Sequence, residues 1–116
     1  MREPSRDKGR LLHIVKYATN VEEMTEGFTF EQFAKDKIRY FAVMKNVEVV
    51  GEAAYMLTKE FIASHPELPW KQIIGMRHIL VHGYATVSVK TLWNTAINDI
   101  PPLKRQVEKY LESMEG

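Results

Sequence analysis

The sequence predicts an all-α fold, an antiparallel bundle of four or five helices formed by a single domain over residues 1–116. Two observations lead to this prediction. Apolar residues recur at helical spacing in successive segments, and no stretch shows the strict alternation of a half-buried strand. With 45% hydrophobic and 27% charged residues, the chain has an ordinary globular composition and is long enough for one core.

The first two helices follow from periodicity and from capping signals. The first is predicted from Asp7 to a stop at Gly27, because its apolar residues keep the spacing of an amphipathic helix: Leu11, Ile14, Val15, Ala18 and Val21. The second is predicted as the longest helix, opened by a capping-box pattern at Thr29 and Gln32 and ending near Ala63. Between these ends it follows a helical run: Phe33, Phe41, Met44, Val47, Gly51 and Tyr55. We therefore expect one continuous helix of more than thirty residues.

Gly51 interrupts the helix-forming residues of that second segment. A glycine inside a helix costs about 1 kcal/mol relative to alanine. We explain it by the close approach of another helix, and we expect the neighbouring Glu52 to be a buried, paired carboxylate with a structural role.

Prolines and glycine delimit the remaining helices. Pro69 suits a first helical turn, so the third helix is predicted from Trp70 to about His82, before Gly83. Thr86 or Ser88 is then expected to cap a fourth helix. A kink or restart is predicted at the two consecutive prolines 101 and 102, and helical spacing continues to the C-terminus at Leu103, Val107, Tyr110, Leu111 and Met114.

The bulk composition limits the functional classes. Sixteen basic and fifteen acidic residues give a net charge of +1, so any contact with nucleic acid must be local. The chain has no cysteine, which excludes disulfides and thiolate chemistry. No apolar run approaches the roughly 20 residues of a membrane span and no secretory signal is visible, so we expect a cytoplasmic protein without a membrane partner.

Arg77 is the most unusual residue of the sequence. On an ideal helix it falls within the apolar stripe formed by Ile73, Ile74, Leu80 and Val81. A guanidinium in such a stripe is costly unless it is paired or lines a cleft. A structural ion pair with Glu52 and a role in binding a partner both remain open, and they are compatible with each other.

The segment around Arg77 also carries groups suited to phosphodiester chemistry. Arg77 offers a permanently charged planar fork for phosphate oxygens, and His78 and His82 can move protons near neutral pH. The two histidines are four residues apart, a spacing that also fits metal ligands, but no carboxylate accompanies them at ligand spacing. We therefore predict a site without metal or cofactor.

Helical geometry sets a condition on this site. Arg77 and His82 are separated by about 140° around a straight helix, so one helix does not aim both at one phosphate. Two routes to convergence are open. The last turn could be freed where the helix ends, with Gly83 at the C′ position, or a two-fold axis could bring in the same segment of a second subunit.

The pattern Arg-x4-His-x-Tyr, formed by Arg77, His82 and Tyr84, closely resembles the signature of HEPN-domain ribonucleases of the HepT-like toxin family. His78 fits the polar position that usually follows the arginine in that family. The resemblance extends from about residue 10 to residue 112 and includes Gly51-Glu52-Ala53, Pro69-Trp70, Gly75-Met76 and Trp93.

This resemblance implies a homodimeric, metal-independent endoribonuclease, the toxin of a type VII-like toxin-antitoxin pair, that cleaves an RNA such as tRNA or mRNA. It also implies a cognate nucleotidyltransferase antitoxin that neutralises the toxin by AMPylation of Tyr84. Negative charge and bulk on that tyrosine would repel RNA. We expect His82 to act as general base, Arg77 to stabilise charge on the phosphate, and His78 or a second His82 to protonate the leaving oxygen.

One alternative function belongs to a different class. A non-catalytic partner subunit of a small nucleotidyltransferase could use the same arginine and tyrosine to bind a nucleotide or substrate. A ribonuclease would need His82 and no partner, whereas a binding subunit would leave RNA intact.

Overall fold

A computed structural model describes residues 6–83 and 88–115 of the chain, without the side chains of residues 81, 82 and 115. All regular secondary structure in these two ranges is helical, which confirms the predicted all-α class. The helices are α1 (Asp7–Thr25), α2 (Phe30–Lys35), α3 (Lys37–Tyr55), α4 (Lys59–Ser64), α5 (Trp70–His82), α6 (Val89–Asn94) and α7 (Ile100–Glu115).

Three long helices and one composite rod form the bundle. Helix α1 packs against α3 and α7, and α3 packs on its other side against α5. Helices α6 and α7 are joined into one rod by a π-helical turn, Thr95–Asp99. The largest fully buried side chains come from α1, α2, α3, α6, α7 and the connection between α3 and α4: Phe33, Leu11, Ile14, Leu57, Leu92, Val21, Val43, Val50 and Val107.

The single long helix predicted from Thr29 to Ala63 is wrong, because two residues with capping side chains interrupt it. The capping box at its start is present, with Thr29 and Gln32 exchanging hydrogen bonds of 2.9 and 3.2 Å. Asp36 then ends α2 and caps α3 by accepting the Arg39 N–H at 3.0 Å. A side chain that satisfies a backbone N–H at a new helix start competes with continuation of the old helix.

The second interruption is fixed by a long-range contact. Thr58 caps α4 by accepting the Phe61 N–H, and the buried carboxylate of Asp7 accepts both the N–H and the hydroxyl of Thr58, at 3.0 and 2.7 Å. Asp7 is the first residue of α1. The start of α1 therefore holds the start of α4, a constraint that periodicity within either segment does not reveal.

The predictions for the second half of the chain agree more closely with the structure. Helix α5 runs from Trp70 to His82, and Ser88 caps α6 by accepting the Thr91 N–H at 3.0 Å. The irregularity predicted at prolines 101 and 102 takes the form of the π-helical turn immediately before them. The prolines then occupy the first turn of α7, where a missing N–H is tolerated.

No helix within the described ranges is both long enough and apolar enough to cross a membrane.

Candidate functional site

The candidate site is centred on the crossing of α3 and α5, where Gly51 lies directly against Arg77. A Cβ atom added to Gly51 would lie 2.5 Å from the Arg77 Cβ and 3.2 Å from its Cα and N. The glycine therefore permits the two helices to approach, as its position in the sequence predicted. This contact therefore sets the position of Arg77 along the axis of α3.

The Arg77 side chain is held by two residues of α3. Its Nε donates a hydrogen bond to Oε2 of Glu52, within a salt bridge. Its guanidinium carbon lies 4.7 Å from the centre of the Tyr55 ring, within the range of a cation–π contact. A carboxylate and an aromatic ring therefore both restrict the orientation of the guanidinium.

This cluster is open to solvent. The prediction that Glu52 is paired is confirmed, but the expectation that it is buried is wrong, because 48% of its side chain is exposed. Arg77 is 25% exposed and Tyr55 is 40% exposed. A carboxylate on the α3 surface beside Gly51 can thus reach the arginine without entering the core, and a phosphate group could reach the same arginine from solvent.

His78 follows Arg77 on α5 and is exposed. His82 is the last residue of α5, and Gly83 continues the α-helical hydrogen bonding by donating to the Ile79 carbonyl at 2.7 Å. Gly83 has φ −135°, so it does not adopt the left-handed conformation of a helix-terminating glycine. Helix α5 therefore ends at His82, as predicted, and keeps its helical register to that residue, while the route by which Arg77 and His82 converge stays a prediction.

The side chain of His82 and the whole of Tyr84 lie outside the described residues. Convergence of Arg77 and His82 on one phosphate, and the position of the modifiable hydroxyl, therefore stay predictions. No group of three His, Asp or Glu side chains within the described ranges could hold a metal ion. Because these ranges do not include the side chain of His82, the metal-free expectation also stays a prediction.

Tyr55 is the residue of this cluster that the sequence interpretation missed. It was assigned to the apolar run of the long helix, whereas the structure places its exposed ring beneath Arg77. A signal was available, because Tyr55 lies three residues after Glu52 and so shares its helix face. Only the position of α5 identifies that face as the site.

A separate cleft of about 420 Å³ lies between α3, α5 and the π-helical turn. Gly51 and Met76 line it, but Glu52 and Arg77 do not, and most of its other lining residues are apolar. The guanidinium cluster and this cleft are therefore distinct features of the same helix crossing.

The chain matches the family model "Ribonuclease HepT-like" over residues 14–110. It is 43% identical over 89 residues to a probable ribonuclease HepT of Thermococcus cleftensis, covering 77% of this chain and 81% of that protein. It is 38% identical over 102 residues to a candidate RNase of Caldanaerobacter subterraneus, covering 88% and 91%.

A third relative is a candidate RNase of Methanocaldococcus jannaschii, 35% identical over 114 residues that cover 97% of this chain and 94% of that protein. No solved structure matches the chain significantly. The family model and the relatives agree with the resemblance carried by the Arg-x4-His-x-Tyr segment. The chain belongs to the HepT-like ribonuclease family.

Proposed function

We propose that the protein is a metal-independent endoribonuclease in which Arg77 and His82 carry the reaction. The observation that supports this most directly is the guanidinium of Arg77, partly exposed and held in one orientation at the α3–α5 crossing. Together with membership of the HepT-like ribonuclease family, this favours a role for Arg77 beyond structural pairing.

In the proposed reaction, His82 removes the proton from an RNA 2′-hydroxyl, and the resulting oxygen attacks the adjacent phosphorus. Arg77 stabilises the negative charge that grows on the non-bridging phosphate oxygens. The bond from phosphorus to the 5′-oxygen breaks, and that oxygen takes a proton from His78 or from His82 of a second subunit. The products are a 2′,3′-cyclic phosphate and a free 5′-hydroxyl.

A homodimer would allow these groups to converge. Helix α5 stays regular through His82, so five residues place Arg77 and His82 about 140° apart around one axis. A second copy related by a two-fold axis could supply the missing histidine. The face of α3 that carries Glu52 and Tyr55 also carries the exposed apolar residues Ile38 and Phe41, which are suited to such an interface.

We further propose that this ribonuclease is the toxin of a toxin-antitoxin pair and acts in the cytoplasm. A cognate nucleotidyltransferase antitoxin would neutralise it by transferring AMP to Tyr84. Tyr84 lies two residues after His82 in the chain, so added phosphate would place negative charge close in sequence to the catalytic histidine.

The test is an RNA cleavage assay with purified protein in the presence of EDTA, using a pool of tRNA and structured RNA. We expect the wild type to cleave and to leave 2′,3′-cyclic phosphate ends. His82→Ala should lose about 10²- to 10⁴-fold in rate, as expected for loss of acid-base catalysis. Arg77→Ala should lose a comparable factor, because it removes the guanidinium proposed to stabilise the phosphate charge.

Arg105→Ala is the matched control, because it removes an exposed arginine of α7, a helix that contributes no residue to the guanidinium cluster of Arg77, Glu52 and Tyr55. It should cleave like the wild type. Intact RNA with every protein would contradict the nuclease and favour a binding subunit of a nucleotidyltransferase. The intact mass of the same wild-type sample would reveal whether AMP on the protein explains its inactivity.

A further inference from the structure

Two arginines of this protein, Arg39 and Arg77, have the same kind of surroundings but make different hydrogen bonds. Arg39 forms a salt bridge with Asp36 at 3.3 Å, and its guanidinium lies 4.1 Å from the centre of the Phe28 ring. Arg77 forms a salt bridge with Glu52 and lies over the Tyr55 ring. Each guanidinium is thus paired with a carboxylate and an aromatic face.

The two arginines differ in how their terminal nitrogens are used. Nη1 of Arg39 donates a hydrogen bond of 2.8 Å to the Met24 carbonyl, so this arginine ties the end of α1 to the start of α3. The bond from Arg77 to Glu52 is made through Nε, at the side of the guanidinium, and does not itself use the terminal Nη1/Nη2 fork. That fork is the part of an arginine that grips two phosphate oxygens.

We propose that Tyr55 is a positioning residue, whose ring sets the plane of the Arg77 guanidinium so that its terminal fork meets the scissile phosphate. This inference rests on the proposed ribonuclease function. Glu52 binds Nε of Arg77 and the Tyr55 ring lies against the guanidinium, and together they restrict the rotations of a long flexible side chain. An arginine restricted in this way keeps its orientation as charge develops on the phosphate.

Shielding by the ring adds to this effect. The Tyr55 ring lies against the guanidinium and limits the access of water to it, and charge interactions strengthen as water is excluded. The aromatic face itself is what matters, since the attraction arises from the ring quadrupole. Phenylalanine or tryptophan should therefore replace Tyr55, whereas an aliphatic side chain of similar size should not.

The experiment measures single-turnover RNA cleavage with saturating enzyme. Tyr55→Leu and Tyr55→Met should both lower the cleavage rate about 5- to 30-fold, a factor typical of a partly desolvated cation–π contact. Tyr55→Phe and Tyr55→Trp should stay within about 3-fold of the wild type. Two ring-free variants are used so that a folding defect in one of them does not decide the outcome.

Phe28→Leu is the matched control, because it removes the aromatic ring beside Arg39. That arginine has a structural role, since it connects the end of α1 to the start of α3. It should cleave at the wild-type rate after allowance for the folded fraction. A second readout tests whether Tyr55 acts through Arg77. In an Arg77→Ala background, which leaves no cation over the ring, Tyr55→Leu should have little further effect.

Three results would overturn the proposal: wild-type cleavage by Tyr55→Leu and Tyr55→Met, equal losses in Tyr55→Phe and Tyr55→Leu, or an unchanged effect of Tyr55→Leu in the Arg77→Ala background. These are distinguishable from failure of the proposed function. If the wild type does not cleave RNA, the function itself is wrong. If cleavage requires Arg77 and His82 but not the Tyr55 ring, only the present inference is wrong.

Discussion

The Arg77 side chain of α5 is held by contacts from α3, a salt bridge with Glu52 and the ring of Tyr55. Its place in the apolar stripe predicted that it is paired or lines a cleft, and Glu52 was the carboxylate named for such a pair. The position of Tyr55 did not follow, because a ring on α3 becomes a partner of Arg77 only through the packing of α5. The burial of Glu52 was also predicted wrongly, because the exposure of its side chain depends on how α5 packs against α3.

The pair formed by Tyr110 and Glu67 gives a prediction about pH. The Tyr110 hydroxyl donates a hydrogen bond of 2.8 Å to Oε1 of Glu67, which lowers the pKa of that carboxyl below its usual value. Burial, followed by the same hydrogen bond, raises the pKa of Tyr110. The stability that Glu67 contributes to the folded state is therefore lost as pH falls through its folded-state pKa. The stability that Tyr110 contributes is lost in strongly alkaline solution.

We expect the stability difference between the wild type and Tyr110→Phe to be constant near neutral pH. It should shrink in acid below the usual glutamate pKa of about 4.3, and again in alkali above the usual tyrosine pKa of about 10. Urea unfolding at a series of pH values measures it. Tyr40→Phe, which removes a hydroxyl from α3, is the control, and a Tyr110→Phe difference independent of pH would contradict the assignment.

At the scale of elements, the second helix was the main error of the sequence interpretation. Apolar periodicity continued across Asp36 and Thr58, so these residues looked like ordinary members of one helix. Each instead accepts a backbone N–H three residues later and begins a new helix. Both had recognisable capping side chains, but only the contact of Thr58 with Asp7 explains why the chain turns there.

The crossing of α3 and α5 yields a prediction about two glycines. Gly51→Ala should destabilise the protein by about 1–3 kcal/mol, because its Cβ would overlap the Arg77 Cβ and force the helices apart. It should also impair RNA cleavage, since Arg77 would shift. Gly75→Ala, on α5, is the matched control because a Cβ there has no neighbour within 4 Å among the described residues.

Gly75→Ala should stabilise the protein by up to about 1 kcal/mol, the usual gain in helix propensity. Chemical denaturation provides both values. Equal effects of the two substitutions would show that the close approach at Gly51 does not constrain the bundle.

At the scale of the whole molecule, the predicted bundle and its helical class are observed, while its assembly stays a prediction. Exposed apolar residues support a dimer. Ile38 is 86% exposed and Phe41 is 51% exposed, and both share a face of α3 with Glu52 and Tyr55. Sequence periodicity placed Phe41 in the apolar run but could not separate core positions from positions at a subunit interface.

We expect light scattering to give the mass of a dimer for the wild type. Introducing a charge through Ile38→Glu together with Phe41→Glu should produce a monomer and reduce RNA cleavage, because a charge within an apolar interface is costly. Leu12→Glu is the control, since Leu12 of α1 is also 51% exposed but lies on another helix. A monomeric wild type that cleaves RNA normally would contradict the composite site.

The π-helical turn Thr95–Asp99 gives the C-terminal rod a place where its length can change. A π turn accommodates about one residue more than an α turn, so its five residues turn the chain by nearly the same angle as four α-helical residues. Removing one residue from it would restore regular α geometry and leave the orientation of α7 relative to α6 nearly unchanged, and Val107 and Tyr110 would stay buried. Removing one residue from the regular part of α7 ahead of Val107 would instead rotate both side chains by about 100° and take them out of the core. A deletion is therefore tolerated or disruptive according to whether it falls within the π turn or outside it.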